Sequence, residues 1–356
     1  MKSIAVLCNY KLIPNRVGGM DYFFYAFDQA CRHENYDITW YFPNQAQYGF
    51  YPQMNIIAAN ENSIEKCFLE DIQVTAKKFD YIIVHFLELC TSFYKKAKQL
   101  TGAKIIAVDH NPRPSNGYVF RIKVKKIVFS AVYGRYIDHF IAVSSQTIND
   151  LNNDFPFIRK SKKTIILNGL PFDLIKSRIP KHKAKCNFIV SSHLRPEKGI
   201  ENIVQAVSML SSSVKSKMQI DVYGDGPDKQ KIESLILEKG LNHTIFIKGS
   251  SNSIHSLYAN YDYLIHPSFA ETFCYSVVES LLANLPVITT QEAGNILGLV
   301  TNEVNGFTYP TGEINVLADI LKKVVIDQIY LVIETRKTLE KEFSTKAMVQ
   351  RYLAIL

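Results

Sequence analysis

The stretch Tyr261–Gly294, YDYLIHPSFAETFCYSVVESLLANLPVITTQEAG, decides the fold of this chain. Its first part, Tyr261–His266, is rich in apolar and aromatic residues, which is typical of a buried strand. After a short polar loop, an apolar helix is predicted to begin near Cys274 or Tyr275, and Pro286–Thr290 is predicted as the next strand. Such a β-loop-α-β unit presents a helix N-terminus at the carboxyl end of a parallel strand, where open α/β sheets bind ligands.

Glu279 in this helix has two interpretations. On a helical wheel it lies opposite the side formed by two valines and two leucines, so an isolated helix would turn it towards water. Its neighbours on that side are serines and an alanine, which would instead let a ligand approach closely. A carboxylate can bridge two vicinal hydroxyl groups of a ribose. The helix alone leaves both interpretations open.

The composition is that of a soluble globular protein, with 47% hydrophobic and 21% charged residues in a chain of 356. This length favours two domains. No apolar run reaches the roughly 18 residues of a membrane span, and the start, MKSIAVLCNY, is typical of a strand and not of a signal peptide. The formal charge of +8 favours anionic partners such as phosphates, nucleic acids or anionic lipids. We therefore expect a cytoplasmic protein.

The six cysteines and nine histidines are dispersed along the chain. No CxxC pair and no HExxH motif occurs, which argues against a structural zinc site and against a disulfide framework. We expect neither a metal nor a cofactor.

Strands alternate with helices in both halves of the chain, which predicts parallel sheets with helices on both faces. In the first half, strands are predicted at Ile4–Leu7, Asp37–Tyr41, Tyr81–His85, Lys104–Val108, His139–Val143 and Thr164–Leu167. After a basic linker, Lys176–Lys185, strands are predicted at Cys186–Ser191, Gln219–Tyr223, Thr244–Lys248, Tyr261–His266, Pro286–Thr290 and Phe307–Tyr309. Predicted helices include Ser63–Phe79, Ser253–Asn260, Asn315–Val325, Gln328–Glu342 and a last helix, Ser344–Leu356. The sequence thus predicts two doubly wound α/β domains that face each other across a cleft.

Two features of the first half lie at the expected ligand end of its sheet. Gly18 and Gly19 follow the first strand and precede a helix, which suits the approach of an anionic ligand to the backbone, or else a turn that serves geometry alone. His110 follows a later strand, and a histidine in this position is either structural or catalytic. His85 ends the preceding strand in a similar position.

The segment Arg121–Arg135 has basic residues and no acidic one, namely Arg121, Lys123, Lys125, Lys126 and Arg135. As a helix it would be basic and amphipathic, like helices that lie on anionic membrane surfaces. A helix that packs on the core with a solvated basic face has the same pattern, and both interpretations stay open.

Cations and glycines follow the first two strands of the second half. Arg195 and Lys198 flank a turn before the helix that Gly199 opens, which suits a diphosphate group. Gly224 begins a second tight turn, GDGP, at the same end of the sheet. Together with the loop before Glu279, these turns suit a nucleoside diphosphate joined to a sugar.

These motifs resemble the retaining family 4 glycosyltransferases of the GT-B fold. The second half has SHLRPEKG, GDGP, the E-x7-E segment HPSFAETFCYSVVESLLANLPVI, EAGNILGLV and VNGF, and the first half has VGGMD, VDHN, AVSSQT and LNGL. The resemblance implies an acceptor-binding Rossmann-like domain over residues 1–175 and a nucleotide-sugar-binding one over 176–340. It also implies that a C-terminal helix, 341–356, packs back on the first domain.

The resemblance also implies roles for single residues. In the second domain, Lys198 would hold the donor's diphosphate, Glu279 the ribose hydroxyls and Glu271 the transferred sugar, with further donor contacts from Arg195, Gly224 and the amides of Phe273, Cys274 and Tyr275. In the first domain, His110 would lie by the reacting sugar, and Gly18 and Gly19 near the phosphate. The family's arginine position is His193 here, and Arg195 is the candidate to replace it.

The implied activity is retaining, metal-independent transfer of a hexose-type sugar from a nucleotide sugar to a glycan or lipid-linked acceptor. The expected setting is the synthesis of a cell-surface polysaccharide such as lipopolysaccharide, on the cytoplasmic side of the membrane and with possible peripheral contact through residues 121–135. Two alternatives are an epimerase or phosphorylase on a similar frame and a non-catalytic assembly subunit that binds nucleotide sugars. Nucleic-acid binding fits poorly, because the basic residues lack interleaved surface aromatic residues.

Overall fold

The computed structural model describes residues 1–14, 17–114, 117–179, 185–269, 271–327, 329 and 331–356. The chain divides into two compact units. The N-terminal unit consists of Met1–Leu170 and Phe343–Leu356, and the C-terminal unit of Pro171–Glu342.

The N-terminal unit is built on one parallel sheet. Its elements up to the boundary are β1 (Lys2–Cys8), α1 (Gly19–His33), β2 (Tyr36–Phe42), β3 (Ile56–Ala58), α2 (Ile64–Thr75), β4 (Tyr81–His85), α3 (Ser92–Thr101), β5 (Lys104–Asp109), α4 (Phe120–Tyr133), β6 (His139–Ala142), α5 (Ser145–Asp154) and β7 (Lys163–Ile165). The strand order is β3-β2-β1-β4-β5-β6-β7. The strand β4 is buried over its whole length, as expected for a central parallel strand with both faces covered.

The C-terminal unit repeats this architecture. Its elements are β8 (Cys186–Ser191), α6 (Ile200–Ser208), α7 (Ser212–Lys215), β9 (Met218–Tyr223), α8 (Lys229–Glu238), β10 (Ile245–Gly249), α9 (Ile254–Leu257), β11 (Tyr263–His266), α10 (Tyr275–Leu282), β12 (Val287–Thr290), α11 (Ala293–Ile296), β13 (Gly306–Tyr309), α12 (Ile314–Ile326) and α13 (Arg336–Phe343). Its strands are parallel in the order β10-β9-β8-β11-β12-β13. Two doubly wound α/β sheets were predicted, and this fold class is confirmed.

Both sheets reverse their strand order at one point, between β1 and β4 and between β8 and β11. Ligands of open α/β sheets bind at the carboxyl ends of the strands that flank such a switch point. In the C-terminal unit, the loops that leave these strands carry Lys198 and Glu271. In the N-terminal unit, they carry Gly18 and the residues after His85. The topology therefore brings the predicted site residues of each unit to the expected edge of its own sheet.

The elements that were not predicted include the strand β3 and the helix α5, whose sequence patterns are weak. The strand β3 has three residues, Ile56–Ala58, at the edge of its sheet, which is too short for a periodic signal. The helix α5 is mostly polar, with the sequence SQTINDLNND. Its start is fixed by Ser144, whose hydroxyl group accepts a hydrogen bond from the Thr147 amide at 3.1 Å.

Several predicted helices are shorter in the structure. The helix predicted at Ser63–Phe79 ends at Thr75, because Ala76 adopts a left-handed conformation with φ 52°. The segment Ser253–Asn260 forms only α9 and a following 3₁₀ turn. Of the helix predicted at Gln328–Glu342, the structure has only α13. Residues 328 and 330, like residues 180–184 of the predicted linker, lie outside the described part of the chain.

The last helix, α14 (Thr345–Leu353), packs on α1 of the N-terminal unit. The Tyr352 ring lies 4.9 Å from the Phe23 ring and 5.7 Å from the Phe27 ring, measured between centroids. At its start, α14 lies against the LNGL motif, since a Cβ atom on Gly169 would lie 2.6 Å from Thr345 Cα. Only glycine at this position allows so close an approach.

The unit boundaries differ from the predicted ones for a local reason. Residues 171–175, which were predicted in the first domain, belong to the C-terminal unit. The Arg336 guanidinium of that unit donates hydrogen bonds to Ile175 O at 2.6 Å and to Phe172 O at 3.1 Å. At the second boundary, Phe343 O accepts a hydrogen bond from Leu170 N at 2.8 Å, which places Phe343 in the N-terminal unit.

Tyr352 tests the contact between α14 and α1. The change Tyr352→Ala removes a buried aromatic side chain, and we expect it to lower the free energy of unfolding of the N-terminal unit by about 3–5 kcal/mol. The control Tyr352→Phe removes a buried hydroxyl group that has no hydrogen-bond partner among the described residues, so it should be nearly neutral. Urea denaturation followed by the fluorescence of Trp40, the single and buried tryptophan, measures both. Equal losses in the two variants would contradict the contact.

Candidate functional site

Lys198 and Glu271 form an ion pair in the C-terminal unit. The Lys198 ammonium group donates to Glu271 Oε1 at 2.5 Å, and the two side chains are 20% and 15% exposed. Glu271 Oε1 also accepts a hydrogen bond from Ser268 Oγ at 2.9 Å and lies 3.4 Å from His266 Nε2. Burial alone would raise the pKa of Glu271, but the hydrogen bond from His266 and the charge of Lys198 outweigh burial and lower this pKa to about 2. The carboxylate is therefore ionised at neutral pH.

Close backbone packing fixes the two loops that carry this pair. Gly199 has φ 64°, and a Cβ atom there would lie 2.4 Å from Pro267 O, so only glycine fits. The Phe269 amide donates a hydrogen bond to Glu197 O at 2.9 Å. The loop after β8 is thus held against the loop after β11.

The EAG motif, residues 292–294, and its neighbours Thr290 and Asn295 contact the backbone of the Glu271 loop. A Cβ atom on Gly294 would lie 1.6 Å from Glu271 O, so the backbones are in direct contact. Asn295 Nδ2 and Thr290 Oγ1 donate hydrogen bonds to Ser268 O at 2.8 and 2.7 Å. The position of the Glu271 carboxylate is therefore set by the backbone and not only by the ion pair.

His266, the last residue of β11, contacts Glu271, Cys274 and Thr289. Its Nε2 atom lies 3.0 Å from Cys274 Sγ, and its Nδ1 atom lies 3.0 Å from Thr289 Oγ1. Burial would lower the pKa of His266, but interactions with Cys274 and Glu271 outweigh burial and raise this pKa to about 9. The sequence analysis gave His266 no role, although it directly precedes the loop of the E-x7-E segment.

Glu279 in α10 is buried, with 6% of its surface exposed. Its Oε2 atom accepts a hydrogen bond from the Tyr258 hydroxyl group at 2.6 Å, and its Oε1 atom lies 3.5 Å from His255 Nδ1. The water-facing interpretation of Glu279 is therefore wrong, because α9 and the turn after it cover this side of α10. The spacing of an isolated helix could not reveal this cover.

Phe273, Cys274 and Tyr275 lead into α10. Phe273 and Cys274 are buried, and the Phe273 and Tyr275 rings meet edge to face with centroids 5.0 Å apart. Cys274 is the N-cap residue of α10. The first amides of a helix have no acceptor within it and point towards its N-terminal end, which is the direction from which a sugar or phosphate would bind.

Arg195 and His193 contact residues other than Lys198 and Glu271. The Arg195 side chain is 48% exposed, and its guanidinium group lies 3.8 Å from Glu197. The His193 ring hydrogen-bonds to the Asp225 carbonyl group in the GDGP turn.

Gly224 begins the GDGP turn with φ 140°, and a Cβ atom there would lie 1.8 Å from Ser192 O. This close contact fixes the GDGP turn against the residues that follow β8. The turn therefore belongs to the same edge of the sheet as Lys198.

In the N-terminal unit, His85 and His110 form a buried pair that the sequence analysis did not predict. His85 Nδ1 lies 3.0 Å from His110 Nε2, and the Phe86 ring stacks on the His110 ring with centroids 4.1 Å apart. Burial lowers the pKa of His85 to about 3, and burial together with His85 lowers the pKa of His110 well below its usual range. Both rings are therefore neutral at pH 7. One of the two facing nitrogen atoms carries a proton and donates it in a hydrogen bond to the other.

Asp109, the neighbour of His110, has a structural role. Its carboxylate binds the Arg113 guanidinium group at 2.7 Å, and Arg113 also binds Asp154 at 2.9 Å. Successive residues of an extended chain point to opposite sides, and the different partners of Asp109 and His110 agree with this.

Gly18 and Gly19 lie at the N-terminus of α1. The Gly18 amide donates a hydrogen bond to Asp21 Oδ2 at 2.9 Å, and the Tyr10 hydroxyl group donates to the same oxygen atom at 2.9 Å. Asp21 is fully buried. The glycine loop is therefore held by a carboxylate of its own helix.

The basic helix α4 is largely exposed. Among its residues, all of which the structure describes, only Ser130 is buried. Lys126 turns inwards, 3.6 Å from Asp154, whereas Arg121, Lys123 and Lys125 are exposed. No helix in the described part of the chain has the length and hydropathy needed to cross a membrane.

The sequence of the C-terminal unit matches a known family. The profile described as "Glycosyl transferases group 1" matches residues 172–344. Solved structures share the fold of the whole chain: Anabaena HepE with bound UDP and glucose has a TM-score of 0.76 at 16% identity, covering 100% of this chain and 99% of the other. The chain has the GT-B fold, and its residues 172–344 match this glycosyltransferase family. The GT-B fold is thus confirmed, and the match of residues 172–344 supports the predicted transferase class, whereas the retaining subgroup stays a prediction.

Two relatives with a named activity are bacterial glycosyltransferases. Poly(glycerol-phosphate) alpha-glucosyltransferase of Bacillus subtilis is 25% identical over 65% of this chain. The O-antigen biosynthesis glycosyltransferase WclY of Escherichia coli is 23% identical over 62% of this chain and 63% of its own length. The chain spans about a third of the Bacillus subtilis relative, 34% of its length.

Tyr258 tests how Glu279 is held in this GT-B chain. The change Tyr258→Phe removes a hydrogen bond to a buried carboxylate, and we expect the free energy of unfolding of the C-terminal unit to fall by about 1.5–3 kcal/mol. The matched control is Tyr309→Phe, since the Tyr309 hydroxyl group is buried without a hydrogen-bond partner among the described residues. Urea denaturation followed by circular dichroism compares the two. A loss in the control as large as that in Tyr258→Phe would show that the bond to Glu279 contributes nothing.

Proposed function

We propose that the chain transfers a sugar from a nucleoside-diphosphate sugar to a glycan or lipid-linked acceptor. The observation that carries this proposal is the arrangement at the switch point of the C-terminal unit. There, Lys198 and Glu271 form an ion pair between two fixed loops, and Glu279 lies buried in the helix that follows. An ammonium group, a helix N-terminus and two carboxylates are the groups needed to bind a diphosphate, a sugar and a ribose.

Each residue has a distinct part in the proposal. Lys198 binds the donor's diphosphate, with the amides of Phe273, Cys274 and Tyr275 beside it, and Glu271 accepts hydrogen bonds from the transferred sugar. Glu279 accepts hydrogen bonds from the ribose hydroxyl groups, for which the Tyr258 hydroxyl group holds it in place. Further donor contacts assigned by the resemblance are those of Arg195, Gly224, Gly18 and Gly19. In the same proposal, His110 contacts the reacting sugar as a neutral ring.

The proposed reaction retains the configuration of the sugar and uses no metal ion. The bond between the sugar C1 atom and the diphosphate oxygen breaks, and the acceptor oxygen bonds to C1 on the same face. The acceptor proton passes to an oxygen atom of the leaving phosphate. The charge of Lys198 and the N-terminus of α10 support this step, because both stabilise negative charge that develops on the leaving group.

The named relatives guide the choice of substrates. HepE binds UDP and glucose in its solved structure, so a UDP-sugar is the first donor to test. The relatives from Bacillus subtilis and Escherichia coli are named for poly(glycerol-phosphate) and O-antigen. We therefore infer an acceptor that belongs to a cell-surface polysaccharide or its lipid-linked precursor, reached from the cytoplasmic side.

The exposed surface of α4 supports contact with an anionic membrane. Four apolar side chains at a spacing of four residues lie on one side of the helix and are 41–81% exposed, namely Phe120, Val124, Val128 and Val132. We call them the α4 stripe. Arg121, Lys123 and Lys125 are exposed on the same helix. Apolar side chains with neighbouring cations are the combination that binds the surface of an anionic bilayer.

Nucleotide binding tests the donor site. In isothermal calorimetry without divalent metal, we expect the wild type to bind one of UDP, GDP and ADP, with UDP first. The change Glu279→Ala should weaken this binding by about 100-fold, since two hydrogen bonds to a buried carboxylate are lost at about 1.5 kcal/mol each. The exposed control Glu238→Ala should bind like the wild type. If no nucleotide binds with or without magnesium, the proposed transfer is wrong.

Liposome sedimentation tests the membrane contact. The triple change Arg121→Gln, Lys123→Gln and Lys125→Gln should weaken binding to phosphatidylserine vesicles at low salt by about 100-fold, because each cation near the surface contributes about 1 kcal/mol. The control Lys217→Gln, Lys231→Gln and Lys239→Gln removes the same charge from exposed positions of the C-terminal unit. If both triple variants lose binding equally, net charge and not α4 attracts the vesicles.

A further inference from the structure

Three side chains of different chemistry converge at the loop after β11. Among the described residues, His266, Glu271 and Cys274 form a group whose nitrogen, oxygen and sulfur atoms all lie within 4.8 Å of one another. His266 and Cys274 are buried, and Glu271 is 15% exposed. The group is therefore largely enclosed by protein and is reached from solvent on the Glu271 side.

The distances suit a tetrahedral metal ion. Zinc binds sulfur at about 2.3 Å and nitrogen or oxygen at about 2.0–2.2 Å, so two ligand atoms of one tetrahedral ion lie about 3.3–3.6 Å apart. His266 Nε2 and Glu271 Oε1 are 3.4 Å apart. His266 Nε2 and Cys274 Sγ are 3.0 Å apart, so a small opening of this contact would admit the ion. Thiolate, imidazole and carboxylate together are a donor set that suits zinc.

The surroundings orient the three groups. Thr289 Oγ1 lies 3.0 Å from His266 Nδ1, which turns the opposite ring nitrogen, Nε2, towards the other two donor atoms. Ser268 Oγ donates a hydrogen bond to Glu271 Oε1 at 2.9 Å. Such partners of metal ligands fix the orientation of the ligands and raise metal affinity.

A cation already occupies one side of this group. The Lys198 ammonium group lies 2.5 Å from Glu271 Oε1, on the same oxygen atom that a metal ion would use. A divalent ion and an ammonium group repel each other at this distance. Metal uptake must therefore displace Lys198 from Glu271.

We propose that Cys274, His266 and Glu271 form a zinc-binding site whose occupation excludes the nucleotide-sugar donor. On binding, the Cys274 thiol and the protonated His266 ring each lose one proton to solvent, and the three side chains coordinate Zn²⁺, with a water molecule in the fourth position. Lys198 and Glu271, which the donor needs, are then unavailable. This second half of the proposal rests on the proposed function, whereas zinc binding itself does not.

Zinc affinity tests the site without any activity assay. In calorimetry of the full, metal-free chain, we expect one Zn²⁺ per chain in the wild type. The changes Cys274→Ser and His266→Gln should each weaken binding by about ten-fold or more. The control Cys67→Ser changes a half-buried cysteine in α2 of the N-terminal unit and should leave the affinity unchanged. Circular dichroism establishes that each variant is folded.

The change Lys198→Met should raise the zinc affinity, whereas the changes of the ligand residues lower it. It removes the competing ammonium group and should tighten zinc binding by about ten-fold. A merely adventitious surface site would not respond to this change. With Co²⁺ in place of Zn²⁺, a thiolate-to-metal charge-transfer band should appear in the wild type and in Lys198→Met, and be lost in Cys274→Ser. Zinc binding that is unchanged in Cys274→Ser and His266→Gln, or the absence of the band in the wild type, overturns the site.

Nucleotide titration separates this proposal from the proposed function. We expect UDP affinity to fall as Zn²⁺ is added to the wild type and to be insensitive to Zn²⁺ in His266→Gln. Zinc that binds at the cluster while UDP affinity is unaffected overturns the competition but not the zinc site. If UDP fails to bind even in the absence of zinc, the donor assignment is wrong, and so is the proposed competition between zinc and the donor. The Co²⁺ charge-transfer band then still tests whether the metal site exists.

Discussion

The ion pair of Lys198 with Glu271 is the interaction on which the candidate donor site depends. Two charges that are mostly withdrawn from water are costly unless they are paired, and removing either one leaves the other uncompensated. Because the two residues lie on loops from different strands, the pair also fixes the loops relative to each other. Gly199 and Gly294 allow the backbones to approach closely enough for this. The charges of Lys198 and Glu271 thus neutralise each other in this structure. A ligand that binds either side chain would take the place of the other one as its partner.

The two buried histidines of the N-terminal unit carry no charge, in contrast to Lys198 and Glu271. His85 and His110 are buried together, and burial lowers the pKa of each ring so that both stay neutral. A neutral imidazole can donate or accept a hydrogen bond without adding charge. In a transfer reaction this property would suit contact with an uncharged sugar, whereas the charged Lys198 suits a phosphate. The charge state of Lys198 and of the two histidines therefore depends on their burial and on their neighbouring side chains, and not on residue type alone.

Features that depend on hydrophobic periodicity or on loops at strand ends could be predicted from the sequence. The strands other than β3 and the placement of Lys198 and Glu271 in loops at strand ends follow from such patterns. The sequence was insufficient where a long-range contact decides the outcome. Glu279 is buried because α9 and the turn after it, some twenty residues earlier in the chain, cover it, and no helical wheel contains that information. The His85–His110 pair likewise depends on the register of β4 beside β5.

The same limit explains why a search for metal motifs in the sequence found nothing. His266, Glu271 and Cys274 are spaced as H-x4-E-x2-C, which matches no helical or zinc-finger spacing. They meet because one β-loop-α unit places a strand end, a tight loop and a helix N-cap at a single point. Convergence of this kind depends on the path of the loop, which Gly294, Asn295 and Thr290 fix from outside the segment. Spacing rules detect ligands that one regular element presents, so clusters at the switch points of α/β sheets become visible only when the backbone has been placed.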